Sequence, residues 1–280
     1  NPPGPSREDK RQAAMEAMVA APRCVAITRS ACWARVVSVR RRCRPAWGVC
    51  WPSCVAGTGW WRWTPTPRSA ARQPDRPRAD GSYWELAKNK NLRSFAEVLT
   101  RMGSNSSGLF VLAGGENGSR RGILDPAIYR EATMRLDRHF TISIVDCGST
   151  MDAPVTQEAM RDMDALIVVS SPWPDGGASA AAQTMEWLAA HGKTGLMQRS
   201  VIVLNDSDGH SDKKTRGVLA DQFRSRRQAV VEVPFDPSLR PGGVINSTAE
   251  MSAPTRRAFV EVAAVISQFF ATIPPPRGPR

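Results

Sequence analysis

The strongest chemical signal in this chain lies one reading frame away from the residues that are written. If the block Cys32 to Cys43, CWARVVSVRRRC, is set out as codons and each new codon takes the third base of one and two bases of the next, it permits Leu-Gly-[Ala or Lys]-Gly-Gly-Val-Gly-Lys-Thr-Thr-Val. Residues of those types in that order make a phosphate-binding loop. The glycines let backbone N–H groups approach the phosphates, the lysine neutralises them, and a threonine hydroxyl reaches a bound metal. The same offset turns Thr58 to Pro67, TGWWRWTPTP, into Arg-Val-Val-Ala-Leu-Asp-Ala-Asn-Pro, and the stretch between reads without a forced stop. One frame explains both ends.

As written, the segment is unlike a core or a solvated face. From Cys24 to Pro74 there are nine Arg and no Lys, Asp or Glu, with five of the six Cys and six of the nine Trp. Out-of-frame reading of a GC-rich gene generates this bias, and the rival reading is a disordered Arg/Trp-rich segment. Acids and lysines return after Arg72 to Asp75. The whole chain carries +12 and the Arg-only block supplies +9, leaving +3 for the rest. A pI near 10.2 is therefore a local effect. It argues only weakly for a nucleic-acid or anionic-membrane partner. In place of the loop the peptide reads Arg, Val, Ser, Arg, Arg; Val36, Val37 and Val39 put side chains where only glycine fits.

At 280 residues the chain can bury one sizeable core. No run of 18 apolar residues is present for a membrane span, and the polar start Asn1-Pro-Pro-Gly-Pro-Ser lacks the order of a signal peptide. Without an initiator Met, that start reads as a fragment or the end of a longer Pro-rich extension. Cys24, Cys32, Cys43, Cys50 and Cys54 have no C-x-x-C pairing and no His among them, which argues against a metal site. Cys147 is then the one cysteine of the body, which fits a reducing, cytoplasmic setting.

Chemistry of this kind needs strands to hold it. After a helix-like run from Arg11 to Ala21, Val25 to Thr28 reads as the stub of a first strand, and Asn91 to Met102 as a helix. Strand-like Leu109 to Ala113 follows, then helix Pro126 to Leu136, strand Phe140 to Asp146 and a short helix around Val155 to Met160. The rhythm repeats: strand Asp164 to Ser171, helix Ala178 to Ala190, strand Ser200 to Asn205, helix Asp212 to Arg226, strand Ala229 to Val233, helix Pro254 to Ile273. Continuous Val/Ile/Leu strands between helices predict an α/β fold, with a doubly wound, mainly parallel sheet covered by helices on both faces and its N-terminal part disrupted. Ligands bind such sheets at the carboxyl ends of strands, which singles out Asp146, Ser170 and Asn205. The organisation expected is a lead over 1–23, the atypical segment over 24–74 replacing the phosphate loop and second strand, the α/β domain over 75–271 and a Pro-rich tail over 272–280.

The strand and loop Ile142-Ser-Ile-Val-Asp-Cys-Gly148, the strand Ala165 to Val169, the helix Ala180 to Gly192, Val201-Ile-Val-Leu-Asn-Asp206 and Val233-Pro-Phe-Asp-Pro237 follow one another in an order that resembles the MinD/ParA family of P-loop ATPases. The nearest likeness is to the MinD-like proteins that accompany type VII secretion. The resemblance implies ATP and Mg2+ as ligands, with Asp146 holding magnesium through water, Asn205 bonding the adenine edge, and Pro234 to Asp236 lying against the base. It also implies hydrolysis with a loop-held water, an ATP-dependent homodimer and a secretion-machinery or cargo protein as partner. Because the loop itself is missing as written, nucleotide binding is expected to fail, and a pseudo-ATPase scaffold is the first alternative. A basic nucleic-acid binder built on the Arg/Trp block is the second, disfavoured one.

Weaker candidates read as structure. His139, His191 and His210 stand apart from any acid or nucleophile at motif spacing and read as surface or capping residues. Gly114 to Gly118 reads as a turn. The basic residues Lys213, Lys214, Arg216, Arg224, Arg226 and Arg227 read as a solvated face, with partner or lipid contact as the option.

Overall fold

The computed structural model describes residues 82–89, 94–104, 110–112, 124–140, 142–147, 151–173, 178–239 and 251–271, together with strand segments 35–41 and 62–63 and helical positions 11, 13 and 15. At 35–41, 62–63, 104, 111, 142, 146, 270 and 271 the backbone alone is described. In chain order the elements begin with β1 (Arg35–Arg41), β2 (Arg62–Trp63), α1 (Tyr83–Lys88), α2 (Phe95–Leu99), β3 (Gly103–Ser104) and β4 (Phe110–Val111). They continue with α3 (Pro126–Leu136), β5 (Ile142–Asp146), α4 (Pro154–Ala159), β6 (Ala165–Ser170), α5 (Ser179–Ala190) and α6 (Thr194–Gln198). The last are β7 (Ser200–Asn205), α7 (Lys213–Ser225), β8 (Ala229–Val233), a 3₁₀ turn (Pro237–Leu239) and α8 (Ala253–Ala271).

Six strands form one sheet in the order β2-β5-β1-β6-β7-β8. β6, β7 and β8 run parallel, and β2 runs parallel to β5. β1 is antiparallel to both of its neighbours, pairing Val37 with Asp146 on one side and with Ile167 on the other. Five of the six strands therefore run one way, in line with the mainly parallel expectation, and β1 alone is reversed. The residues expected to stand in for a loop instead occupy the centre of the sheet. RVVSVRR is rich in β-branched residues, and a strand between two partners satisfies its backbone groups in either direction. The stub at Val25 to Thr28 lies outside the described residues. β4 is also displaced from its expected place: it pairs with β3 in a separate two-stranded sheet.

Burial explains why the other strands read as continuous apolar runs. Along β6 and β7, Leu166, Val168, Ile202 and Leu204 turn to a face packed by α1, α3, α5 and α7 through Leu86, Leu136, Leu188, Leu219 and Phe223. Ile167, Val169, Val201 and Val203 turn to the other face, where α8 contributes Ala258, Val262 and Ile266. Helices cover both faces, and period-two alternation gives each face its own core. Met15 packs against the second core, and Arg11 pairs with Glu261 of α8 at 2.9 Å.

The helix ends follow local chemistry. Asp125 caps α3, accepting from the Ala127 amide at 2.7 Å just before Pro126 at the first helical position, a cap worth about 1 kcal/mol. Ser94 and Glu97 form a capping box on α2. α5 and α7 both end in a turn in which an amide closes on a carbonyl five residues back, Lys193 to Leu188 and Gln228 to Phe223. The left-handed residue of that turn is Gly192 in α5, at φ 69°, but Arg227 in α7, at φ 61°. A side chain there crowds the following carbonyl. We therefore expect Arg227→Gly to raise unfolding stability by about 1 kcal/mol; an unchanged or lower melting temperature would contradict the assignment.

Candidate functional site

Parallel strands β6, β7 and β8 deliver their C-terminal ends to one edge of the sheet, where the chain leaves for the loops that can hold a ligand. Asn205 ends β7 and pairs with Val233 at the end of β8, so the sequence candidates Asn205, Pro234 and Asp236 come together at this edge. Asn205 and Pro234 are half-buried. The Asn205 amide makes no side-chain hydrogen bond among the described residues, which leaves a donor and an acceptor open.

Asp146 ends β5 and is held apart from this group by β1 and β6. Three strand spacings put it about 14 Å across the sheet. By register it is level with Val37, Ile167 and Val201, four residues short of Asn205, or about 13 Å along the strands. Asp146 and Asn205 can serve one ligand only through its opposite ends. Ser170 ends β6 between them; it is buried and its hydroxyl donates to the Ser171 carbonyl at 3.0 Å.

Two carboxylates shape the loops at the β7–β8 edge. Asp206 is buried at 4 % exposure and accepts from the Gly209 amide at 2.8 Å and the Ser211 hydroxyl at 2.6 Å. Arg216 of α7 reaches Asp206 at 3.3 Å, the Ser211 carbonyl at 3.0 Å and Glu232 at 3.6 Å. Burial opposes ionisation of Asp206, but the Ser211 hydroxyl, the Gly209 and Asp208 amides and Arg216 outweigh it and hold its pKa below the usual range. Gly209 lies at φ 77°, and a Cβ there would come within 2.9 Å of the Phe235 ring. The loop after β7 is thus pressed onto the segment after β8, and only glycine permits it.

Asp236, also buried, accepts from the Ser238 amide at 3.0 Å, the Ser238 hydroxyl at 2.7 Å and the Ser252 amide at 2.8 Å. It clips the 3₁₀ turn to the start of α8, so both of its oxygens are engaged within the protein. What this edge presents to a ligand is the Asn205 amide, Pro234 and the half-buried Phe235. Among the described residues no cluster of three His, Cys, Asp or Glu could hold a metal.

Sequence reasoning missed Asp206 and Arg216. The run Asn205-Asp-Ser-Asp-Gly209 reads as turn chemistry, and Arg216 as one cation among several. The histidines sit at the periphery: His191 Nδ1 donates to the Trp187 carbonyl at 2.9 Å and its ring stacks on that indole, while His210 is exposed near Asp208. His139 lies beside the Phe95 ring. Gly114 to Gly118 lies outside the described residues.

No family model matches the chain, and no curated protein matches it. Among solved structures, the crystal structure of a ParA family ATPase from Chlorobium tepidum TLS is similar, with a TM-score of 0.51 over 79 % of this chain and 92 % of that one. The fold is ParA-like. Identity across the match is 12 %, so the likeness concerns the path of the chain and not its side chains. No helix among the described residues is long and apolar enough to cross a membrane.

Asp236 gives a test of this edge. Burial raises its pKa, but the Ser238 hydroxyl and the Ser252 and Ser238 amides win and place it at about 2. A depressed folded-state pKa stabilises above the unfolded value near 4 and is lost as pH falls through the folded one. Asp236→Asn is expected to cost about 1–3 kcal/mol at neutral pH, with the gap from the parent closing between about pH 4 and 2. A pH-independent gap in urea melts would contradict this.

Proposed function

We propose that this chain carries the body of a MinD/ParA-like ATPase, whose phosphate site is absent because the segment that should form it is read out of frame. The observation that carries this reading is the state of Arg35–Arg41. These residues correspond, in the offset frame, to Gly-Gly-Val-Gly-Lys-Thr-Thr. In the protein they form a strand paired on both sides, to β5 and to β6. A phosphate cradle needs backbone N–H groups that point free into a loop; here they are committed to two ladders.

ATP and magnesium therefore do not fit the residues present. Asp146 stands at the end of β5. Fold likeness supports a ParA-like body, and the run from Ile142 to Asp236 supports the narrower kinship with secretion-linked MinD-like proteins. In that reading the frame-restored protein binds ATP and magnesium, uses Asp146 toward the metal and Asn205 with Pro234 toward the base, and dimerises on ATP. The chain as written keeps the body's surfaces and acts as a scaffold for a secretion or cargo partner.

A fluorescent ATP analogue titrated with magnesium against the chain as written and against the frame-restored chain separates these states. The written chain is expected to give no saturable binding, the restored one to bind in the micromolar range, and Asp146→Ala in the restored chain to weaken binding at least tenfold, about 1.4 kcal/mol. Saturable micromolar binding by the written chain contradicts the proposal, as does a folded restored chain that fails to bind.

A further inference from the structure

A groove of about 610 Å³ lies between α5 and α7, with Asp212 of the loop after β7 in its lining. Its floor is apolar: Ala178 and Ala182 from α5 leave room, and Val218, Leu219 and Phe223 line the α7 side. Val218 is 51 % exposed, an apolar side chain left in water beside the buried Leu219 of α7. Lys214 and Arg226 stand at the two ends of the groove. They are twelve positions apart on α7, about 18 Å along its axis.

The charge on this helix is of two kinds. Arg216 and Arg224 are compensated by Asp206, Asp221 and Glu232. Lys213, Lys214, Arg226 and Arg227 are exposed and have no ion pair among the described residues. Asp212 at the rim is engaged as the α7 cap, accepting from the Thr215 amide at 2.9 Å. Moreover, three of these cations sit where folding disfavours them. Lys213 and Lys214 open the helix, at the positive end of its dipole, and Arg227 takes the left-handed position at φ 61° that Gly192 fills in α5. Broken local rules with no compensating contact mark surfaces kept for another task.

We propose that this groove is the docking site of an acidic amphipathic helix from a partner protein. Its small apolar residues lie over Val218 and Phe223, and its carboxylates meet Lys214 at one end and Arg226 at the other. The concave shape favours a helix over a lipid surface, which would meet a convex face. The apolar floor between widely separated cations favours it over a nucleic-acid backbone, which calls for a continuous cationic track. The proposal does not depend on nucleotide binding.

The probe is a fluorescein-labelled amphipathic peptide with a Leu/Ala face and Glu at positions one and thirteen of its helical span, compared with the same peptide carrying Lys there. Titrated by anisotropy against the full chain, the Glu peptide is expected to bind with a Kd of about 10 µM or tighter and the Lys peptide to bind at least tenfold more weakly. Val218→Asp, a surface change, weakens the Glu peptide about tenfold. The pair Lys214→Glu with Arg226→Glu reverses the preference, so that the Lys peptide now binds better. Circular dichroism confirms that each variant is folded. Equal binding of both peptides, no saturation by the Glu peptide, or an unreversed preference in the charge-swapped variant overturns the proposal. So does tighter association with phosphatidylserine vesicles or duplex DNA than with the Glu peptide.

Discussion

Two parallel strands, β5 and β6, face each other across a gap one strand wide, and the whole sheet depends on how that gap is filled. Each carries unpaired N–H and C=O groups along its inner edge, and buried backbone groups without partners are costly enough that folded proteins almost never leave them. β1 fills the gap with ladders to both neighbours. A strand will do so in either direction, because side-chain identity matters less than the supply of backbone groups and a fit to the pleat. The consequence is functional: a segment spent on closing the sheet has no free amides with which to hold phosphates.

The two ends of the sheet then have different fates. At the β5–β1–β6 end the site chemistry is replaced by structure. At the β7–β8 edge the local order survives, because it rests on short-range contacts: the Asp206 and Asp236 clips and Gly209 against Phe235. Those contacts keep Asn205 and Pro234 presented at the edge whatever happens two strands away. A body of this kind holds its outer helices, and α7 with its uncompensated cations, in a fixed relation to the core through Leu219 and Phe223.

Much of the body was legible in the sequence. Helix Pro126–Leu136 and strands Ser200–Asn205 and Ala229–Val233 have the bounds their patterns predict, since a cap residue with proline marks the first, continuous burial the second and a Val-rich run the third. Other features escaped for physical reasons. α1 shows only Tyr83 and Leu86 to the core, one turn of pattern and too little for periodicity. Phe110–Val111 is as β-prone as any core strand, yet its partner is Gly103–Ser104 and not the sheet; pairing is a tertiary choice. The antiparallel sense of β1 is set by how the chain enters and leaves the sheet, which no local pattern encodes. At the site, the strand-end positions of Asp146 and Asn205 were legible, whereas the Asp206–Arg216 network was hidden within turn residues and a basic helix.

The central claim is that the residues filling the middle of the sheet are an out-of-frame reading of a phosphate loop, and the coding DNA across Ala20 to Asp80 tests it most directly. The account predicts one insertion or deletion near Thr28 to Ala31 and a compensating one near Arg72 to Asp75, with the offset frame between them spelling the glycine-rich loop and the Val-Val-Ala-Leu-Asp strand. In-frame coding of CWARVVSVRRRC in close relatives, under ordinary codon usage and with no offset loop, would contradict it.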